Sequence, residues 1–321
     1  MNEKLLVILS PPRGFTSVVS TVIGQHPELY GFPELHLFVG DSLEEVLDRE
    51  YKHGNHGGPP GVLRTLAQLH DGCQTTATIL RATAWLMNHR HWSTKRAMDY
   101  LMDLVKPKIG VEKSPVTCLK PLFIERAYAQ YPDAYFLHLT RHPVSARKSM
   151  DEFFSNRRSR LTNAQPTELS GVSLDRLMLW YRLHNNIVDF TRTLPVGQSM
   201  RVKGEDLLSE PERYLPQIAA WMGLRTDREA LEAMMHPEHS PYAHRGPHPC
   251  RGGNDPKFMD SPALRHTKMR EPSLQQFLEG NEITWLSEPA QHLLHEGGLR
   301  MADGNEIANE VVGLAECLGY H

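Results

Sequence analysis

The chain has 321 residues, with 35 lysines and arginines against 38 aspartates and glutamates, a formal net charge of −3. That balance carries no electrostatic footprint for nucleic acid, and 40% hydrophobic residues give a sizeable core and exclude a disordered chain. The four cysteines, Cys73, Cys118, Cys250 and Cys317, are scattered without a C-x-x-C pair. This points to a reducing, cytoplasmic setting, and no run approaches the roughly 20 apolar residues that span a membrane.

Leu5–Leu9 is a short continuous apolar run of the kind a parallel sheet buries on both faces, and 16–26 follows as a helix stopped before Pro27. Residues 39–108 read mostly as helix, including 62–69 and 75–89. About 41–106 is therefore expected to form a helical insertion between the first two strands. Ile109–Glu112 reads as the second strand, followed by a helix over 120–131 with Pro121 in its first turn. The third strand is 134–140, followed by a helix over 144–154. Ser199–Lys203 is the fourth, leading into a helix over 210–222. Strands alternating with such helices indicate βαβ units. The expected fold is α/β: a P-loop-like open parallel sheet flanked by helices, in one domain, with the helical insertion over the active site. Residues 237–262 are rich in Pro, Gly and His and show no sustained period. About 237–263 is accordingly read as a long functional loop.

In open α/β sheets, ligands sit beyond the carboxyl ends of the strands. The stretch "LLVILSPPRGFTS" (5–17) places a Pro-Pro-Arg-Gly turn there. Successive backbone N–H groups and the N-terminus of the next helix make an anion cradle. Arg13 adds a permanent charge, and the hydroxyls of Thr16 and Ser17 add donors. The loop lacks the Gly-Lys-Ser/Thr ending of an ATP-binding phosphate loop. A second element is "LTRHPVSARKS" (139–149), where Arg141 ends a strand and Ser149 lies eight residues on, about two helical turns later. The bland alternatives are an ordinary βα turn with a hydroxyl N-cap for the first loop, and a carbonyl-capping arginine with a solvent-facing serine for the second.

Together the two elements resemble the PAPS-dependent sulfotransferase family (PAPS, 3′-phosphoadenosine 5′-phosphosulfate). The resemblance implies that Arg13, Gly14, Phe15, Thr16 and Ser17 hold the 5′-phosphosulfate and that Arg141 and Ser149 hold the 3′-phosphate, with PAP as product. "FPELHLF" (32–38), "VEKSP" (111–115), "VKGEDLLSEPE" (202–212), "GGNDPKFMDSPALR" (252–265) and "LAECLGY" (314–320) are similar to the sulfotransferases of bacterial polyketide assembly lines. This implies a hydroxyl acceptor on a small molecule or a carrier-bound acyl chain, and an acyl carrier protein as possible partner. Two positions depart from the pattern: Phe15 stands where the family usually has Gly, and Gly204 where it often has Tyr.

Sulfuryl transfer to an alcohol needs a general base and cations at the leaving phosphate. Glu34, after Pro33, is the first choice of base; His36, two residues on, is its rival. Lys113, at the end of the second predicted strand, and Arg13 are expected to stabilise the leaving group. In the long loop, Arg251 to Asn254, with Arg251 and Gly252 foremost, are candidates for wrapping the 3′-phosphate or adenine. Two H-x-x-H pairs, His53/His56 and His236/His239, raise a metal site, but neither has a Cys or acidic cluster to complete it, and no metal is expected. The run "NRRSR" (156–160) is a solvated helix end or a docking point for an acidic carrier. The alternatives are a P-loop-type kinase and a catalytically inactive nucleotide-binding regulator.

Overall fold

The computed structural model describes residues 4–158, 176–265, 271–274 and 304–320. The sheet is five-stranded and parallel in every pairing, in the order β2-β3-β1-β4-β5. Its strands are β1 (Leu5–Leu9), β2 (Leu29–Gly31), β3 (Ile109–Glu112), β4 (Tyr135–Thr140) and β5 (Ser199–Lys203). The four strands expected from sequence are present. The short edge strand β2 is additional.

Alternation along β1 divides the core, because successive side chains point to opposite faces. Leu5, Val7 and Leu9 pack with the helices α2 (Leu43–Lys52), α3 (Pro60–Asp71), α4 (Thr76–Asn88), α5 (Thr94–Val105) and α6 (Pro121–Gln130). Leu6 and Ile8 pack on the other face, against α1 (Thr16–Gly24), α9 (Gly204–Ser209), α10 (Pro211–Trp221) and α11 (Arg228–Met234). A third cluster joins α7 (Pro143–Arg158), α8 (Arg176–Arg192) and α13 (Gly304–Cys317). Helix α12 (Pro256–Asp260) is short and lies within the loop expected from sequence.

Helices α2 to α5 fill the interval between β2 and β3. Their starts are set by local chemistry: Ser42 accepts from the Glu45 N–H, Thr75 forms a capping box with Thr78, and Ser93 accepts from the Arg96 N–H. Pro121 and Pro143 stand in the first turns of α6 and α7, where a missing N–H costs nothing. Among the described residues no helix is long and apolar enough to cross a membrane.

Candidate active site

Strands β1, β3, β4 and β5 all run the same way, so the segments after them collect at one edge of the sheet. A cavity of about 700 Å³ opens there. The loop after β1 enters it with Arg13 and Phe15, both in the left-handed region at φ 67° and 63°. Neither is glycine, and such backbone in ordinary residues concentrates at functional sites. Phe15 occupies the N-cap position of α1 without a side-chain cap, so the first turn's N–H groups are left for another acceptor.

Lys113 follows β3 and is fully buried. A buried ammonium needs its donors satisfied, and three oxygens accept from it: Glu34 Oε1 at 2.9 Å, Asn254 Oδ1 at 2.9 Å and Ser17 Oγ at 3.2 Å. Ser17 Oγ also accepts from the Asp255 backbone N–H at 2.8 Å. Glu34 Oε2 lies 3.6 Å from His36 Nε2, and His36 Nδ1 lies 2.7 Å from Glu50 Oε1. Glu50 is in turn bonded by Asn55 Nδ2 at 2.5 Å. The result is a line, Lys113–Glu34–His36–Glu50, of alternating charge.

The line sets the titration of its members. Burial alone would raise Glu34, but Lys113 and His36 outweigh it and hold the carboxyl at about 2. Burial would lower His36, yet its bonds to Glu34 and Glu50 push it up to about 10. Glu34 is thus ionised and His36 protonated across the neutral range. The His36 backbone is itself left-handed, at φ 57°. Ser114 Oγ accepts its N–H at 3.0 Å and donates in turn to Glu112, whose burial raises that carboxyl to about 7.

The opposite wall is cationic. Arg13 Nε donates to Ser149 Oγ at 3.1 Å, and its guanidinium pairs with Asp255. Arg141 donates to the Arg13 carbonyl at 2.7 Å and to Ser145 Oγ at 3.2 Å. Both acceptors are neutral, and burial lowers Arg141 to about 10, still charged. Among the described residues no carboxylate accepts from this half-buried arginine, an arrangement suited to meeting an anion. The two loops singled out in the sequence therefore touch each other directly.

Arg13, Phe15, Thr16, Ser17, Glu34, His36, Arg141 and Ser149 line the cavity. Lys113 lies beneath its floor and reaches Glu34 and Ser17. Gly14 stays behind the loop, packed so closely on Ser10 that a Cβ would meet its Oγ at 2.1 Å. Arg251 and Gly252 are not brought in. Arg251 is exposed, and the Gly252 carbonyl accepts from Arg64 at 2.9 Å. Of the same stretch Asn254 does line the cavity, joined by Asp255 and Phe258, because Asp255 caps α12 and that turn faces the cavity. Glu50 was missed in the sequence, along with Asn55 and Arg49.

Of the two H-x-x-H pairs, His53 lines the cavity and joins no ligand set among the described residues, and His236 and His239 are on the surface with Glu238. Their donor atoms lie within 4.8 Å of one another, so an acidic residue does join this pair. Of the stretch 156–160, residues 156–158 end α7 and the rest lies outside the described residues.

A family model described as the sulfotransferase family matches residues 6–228. Among solved structures, the sulfotransferase domain from the curacin biosynthetic pathway is similar at 17% identity and TM-score 0.67, covering 99% of this chain and 98% of that one. The sulfotransferase domain from the Synechococcus PCC 7002 olefin synthase is similar at 20% identity and TM-score 0.65, covering 94% and 96%. No curated protein matches the chain significantly.

Proposed function

The chain belongs to the sulfotransferase family, and from that premise we propose that it takes its sulfuryl group from PAPS. We propose as acceptor a hydroxyl of a small molecule or of a carrier-bound acyl chain. The observation that carries the reading is Arg141, half-buried and charged with two neutral acceptors, lining one cavity with Arg13 and the uncapped first turn of α1. This donor set fits a ligand with two separated anionic groups. The kinase alternative is not carried forward, since Arg141, directly after β4, stands where a magnesium-binding carboxylate is needed.

Bound there, the donor would supply a sulfuryl group on a leaving phosphate. Arg141 and Ser149 would hold the 3′-phosphate, while Arg13, Thr16, Ser17 and the α1 amides would hold the 5′ side. Lys113 reaches Ser17 and Glu34 at once, so it ties the phosphate loop to the base. Glu34 is the residue proposed to take the alcohol proton, because it is ionised and half-open to the cavity while His36 already carries its own proton. The protonated His36 keeps negative charge on Glu34 and orients it. The wall formed by Pro115, Val116 and Leu119 suits an apolar acceptor stem. The long likeness to two sulfotransferase domains of biosynthetic assemblies supports the choice of 3-hydroxyacyl pantetheine thioesters as first probes.

The test is calorimetric titration with PAP, 5′-AMP and ATP with magnesium, followed by single-turnover transfer from labelled PAPS to those thioesters. PAP is expected to bind and ATP not to. Glu34→Gln should slow transfer by about 100- to 10 000-fold with PAP still bound. Binding of ATP without PAP sinks the donor assignment, and full activity in Glu34→Gln sinks the base.

A further inference from the structure

The two positions that depart from the family pattern meet in space. The Phe15 ring fills the volume that a side chain at 204 would take: a Cβ on Gly204 would lie 2.6 Å from Phe15 Cδ2 and 3.2 Å from the Thr140 carbonyl. Arg141 lies over the same ring, its Cζ 4.2 Å from the ring centroid. Arg141 is thereby held between an aromatic ring and two neutral acceptors, the Arg13 carbonyl and Ser145 Oγ.

We propose that Phe15 is a positioning residue, fixing the Arg141 guanidinium for a 3′-phosphate, and that Gly204 is the space that lets it do so. The inference rests on the assignment of Arg141 to that phosphate. A long arginine side chain loses much rotamer freedom when it is fixed, and a ring beneath it meets that cost before the ligand arrives. Attraction between a desolvated cation and a ring face adds to the hold and takes up none of the N–H donors. The left-handed backbone of Phe15 is strained for an aromatic residue. Its retention is explained by the seat the ring occupies, because a residue without a side chain would adopt that backbone freely.

The experiment is titration of PAP and 5′-AMP into the full chain, with melting temperature as a fold control. The set is the unmodified protein, Phe15→Leu, Phe15→Gly, Gly204→Ala, Phe15→Gly/Gly204→Ala and Arg141→Ala. Phe15→Leu should weaken PAP by about tenfold and leave 5′-AMP nearly unchanged. Gly204→Ala, which pushes the ring away, should act in the same direction. It should add nothing in the Phe15→Gly background, where no ring remains to be displaced. Should Gly204→Ala not fold, Phe15→Leu decides alone. Loss of the preference for PAP in Arg141→Ala but not in Phe15→Leu overturns this inference only, as does equal weakening of both nucleotides by Phe15→Leu. Absence of any preference for PAP in the unmodified protein overturns the phosphate assignment and this inference with it.

Discussion

At the scale of single residues, the site is a chain of charges in which each group sets the next. His36 is raised to about 10 against the lowering effect of burial because Glu34 and Glu50 both stand beside it. The stability this gives is fully present below the ordinary histidine range and is lost as pH rises through about 10. Glu50 pairs with His36, and in the proposed mechanism it acts through His36 as a positioning residue. Glu50→Gln removes one of the two carboxylates, and His36 should then titrate lower. The alkaline limbs of both kcat and melting temperature are expected to move down by roughly one pH unit, with Glu50→Asp restoring part of the shift. Unmoved limbs would reduce Glu50 to packing. Glu34 has the opposite sign: its contribution is present above the ordinary carboxylate range and is lost as pH falls towards about 2. Melting temperature should therefore fall less steeply below pH 5 in Glu34→Gln than in the unmodified protein. Glu34, His36 and Lys113 could be read from the sequence because each follows closely on a strand or a proline turn. Glu50 could not: it is one charge among several in LEEVLDREYK, which reads as a solvated face. Only the fold buries it against His36.

At the scale of elements, the long strands were legible because each is an apolar run of four to six residues ahead of a helical pattern. β2 escaped because three residues between Pro27 and Pro33 carry no period. The long loop was expected to be functional, but without a period its positions could not be ranked, and its contribution to the cavity falls at Asn254 and Asp255, beyond Arg251 and Gly252. Packing of backbone on backbone is equally silent in a sequence. The first turn of α3 lies against the segment bearing Glu34, so closely that a Cβ on Gly61 would stand 1.9 Å from the Glu34 carbonyl oxygen. Glu34 N–H donates to the Gly253 carbonyl at 2.8 Å, so three segments meet there. Gly61→Ala must push them apart. It should cost about 1–3 kcal/mol of stability and slow transfer by up to about 100-fold through misplacement of Glu34. The affinity for PAP, proposed to be held on the other wall, should change little. Denaturant midpoint and single-turnover rate measured together check this. A rate loss no larger than the loss of folded protein would show that Gly61 serves stability alone.

At the scale of the whole molecule, the wall proposed to bind the donor's phosphates is supported from behind by chain far away in sequence. Helix α13 is followed by Tyr320, which is fully buried although it lies 180 residues beyond Thr140, its partner. Tyr320 Oη lies 2.8 Å from Thr140 Oγ1 and donates to Glu205 Oε2 at 3.1 Å, while Glu205 Oε1 accepts the His142 N–H at 2.9 Å. Thr140 and His142 flank Arg141, and Trp180 Nε1 donates to the Arg141 carbonyl at 2.9 Å. The backbone of Arg141 is thus fixed by β4, α8, α9 and the residues after α13 together. Tyr320→Phe keeps the ring and removes the hydroxyl, leaving a buried Glu205 oxygen without its donor. The expected loss is about 1–3 kcal/mol, read as a lower denaturant midpoint at unchanged m-value. Because the hydroxyl acts on the residues around Arg141 and not on Glu34, the variant should weaken PAP more than 5′-AMP and leave single-turnover transfer at saturating donor nearly intact. An unchanged midpoint would mean that Glu205 finds another donor. A fall in transfer with PAP affinity intact would place the effect of α13 on the acceptor side of the cavity instead.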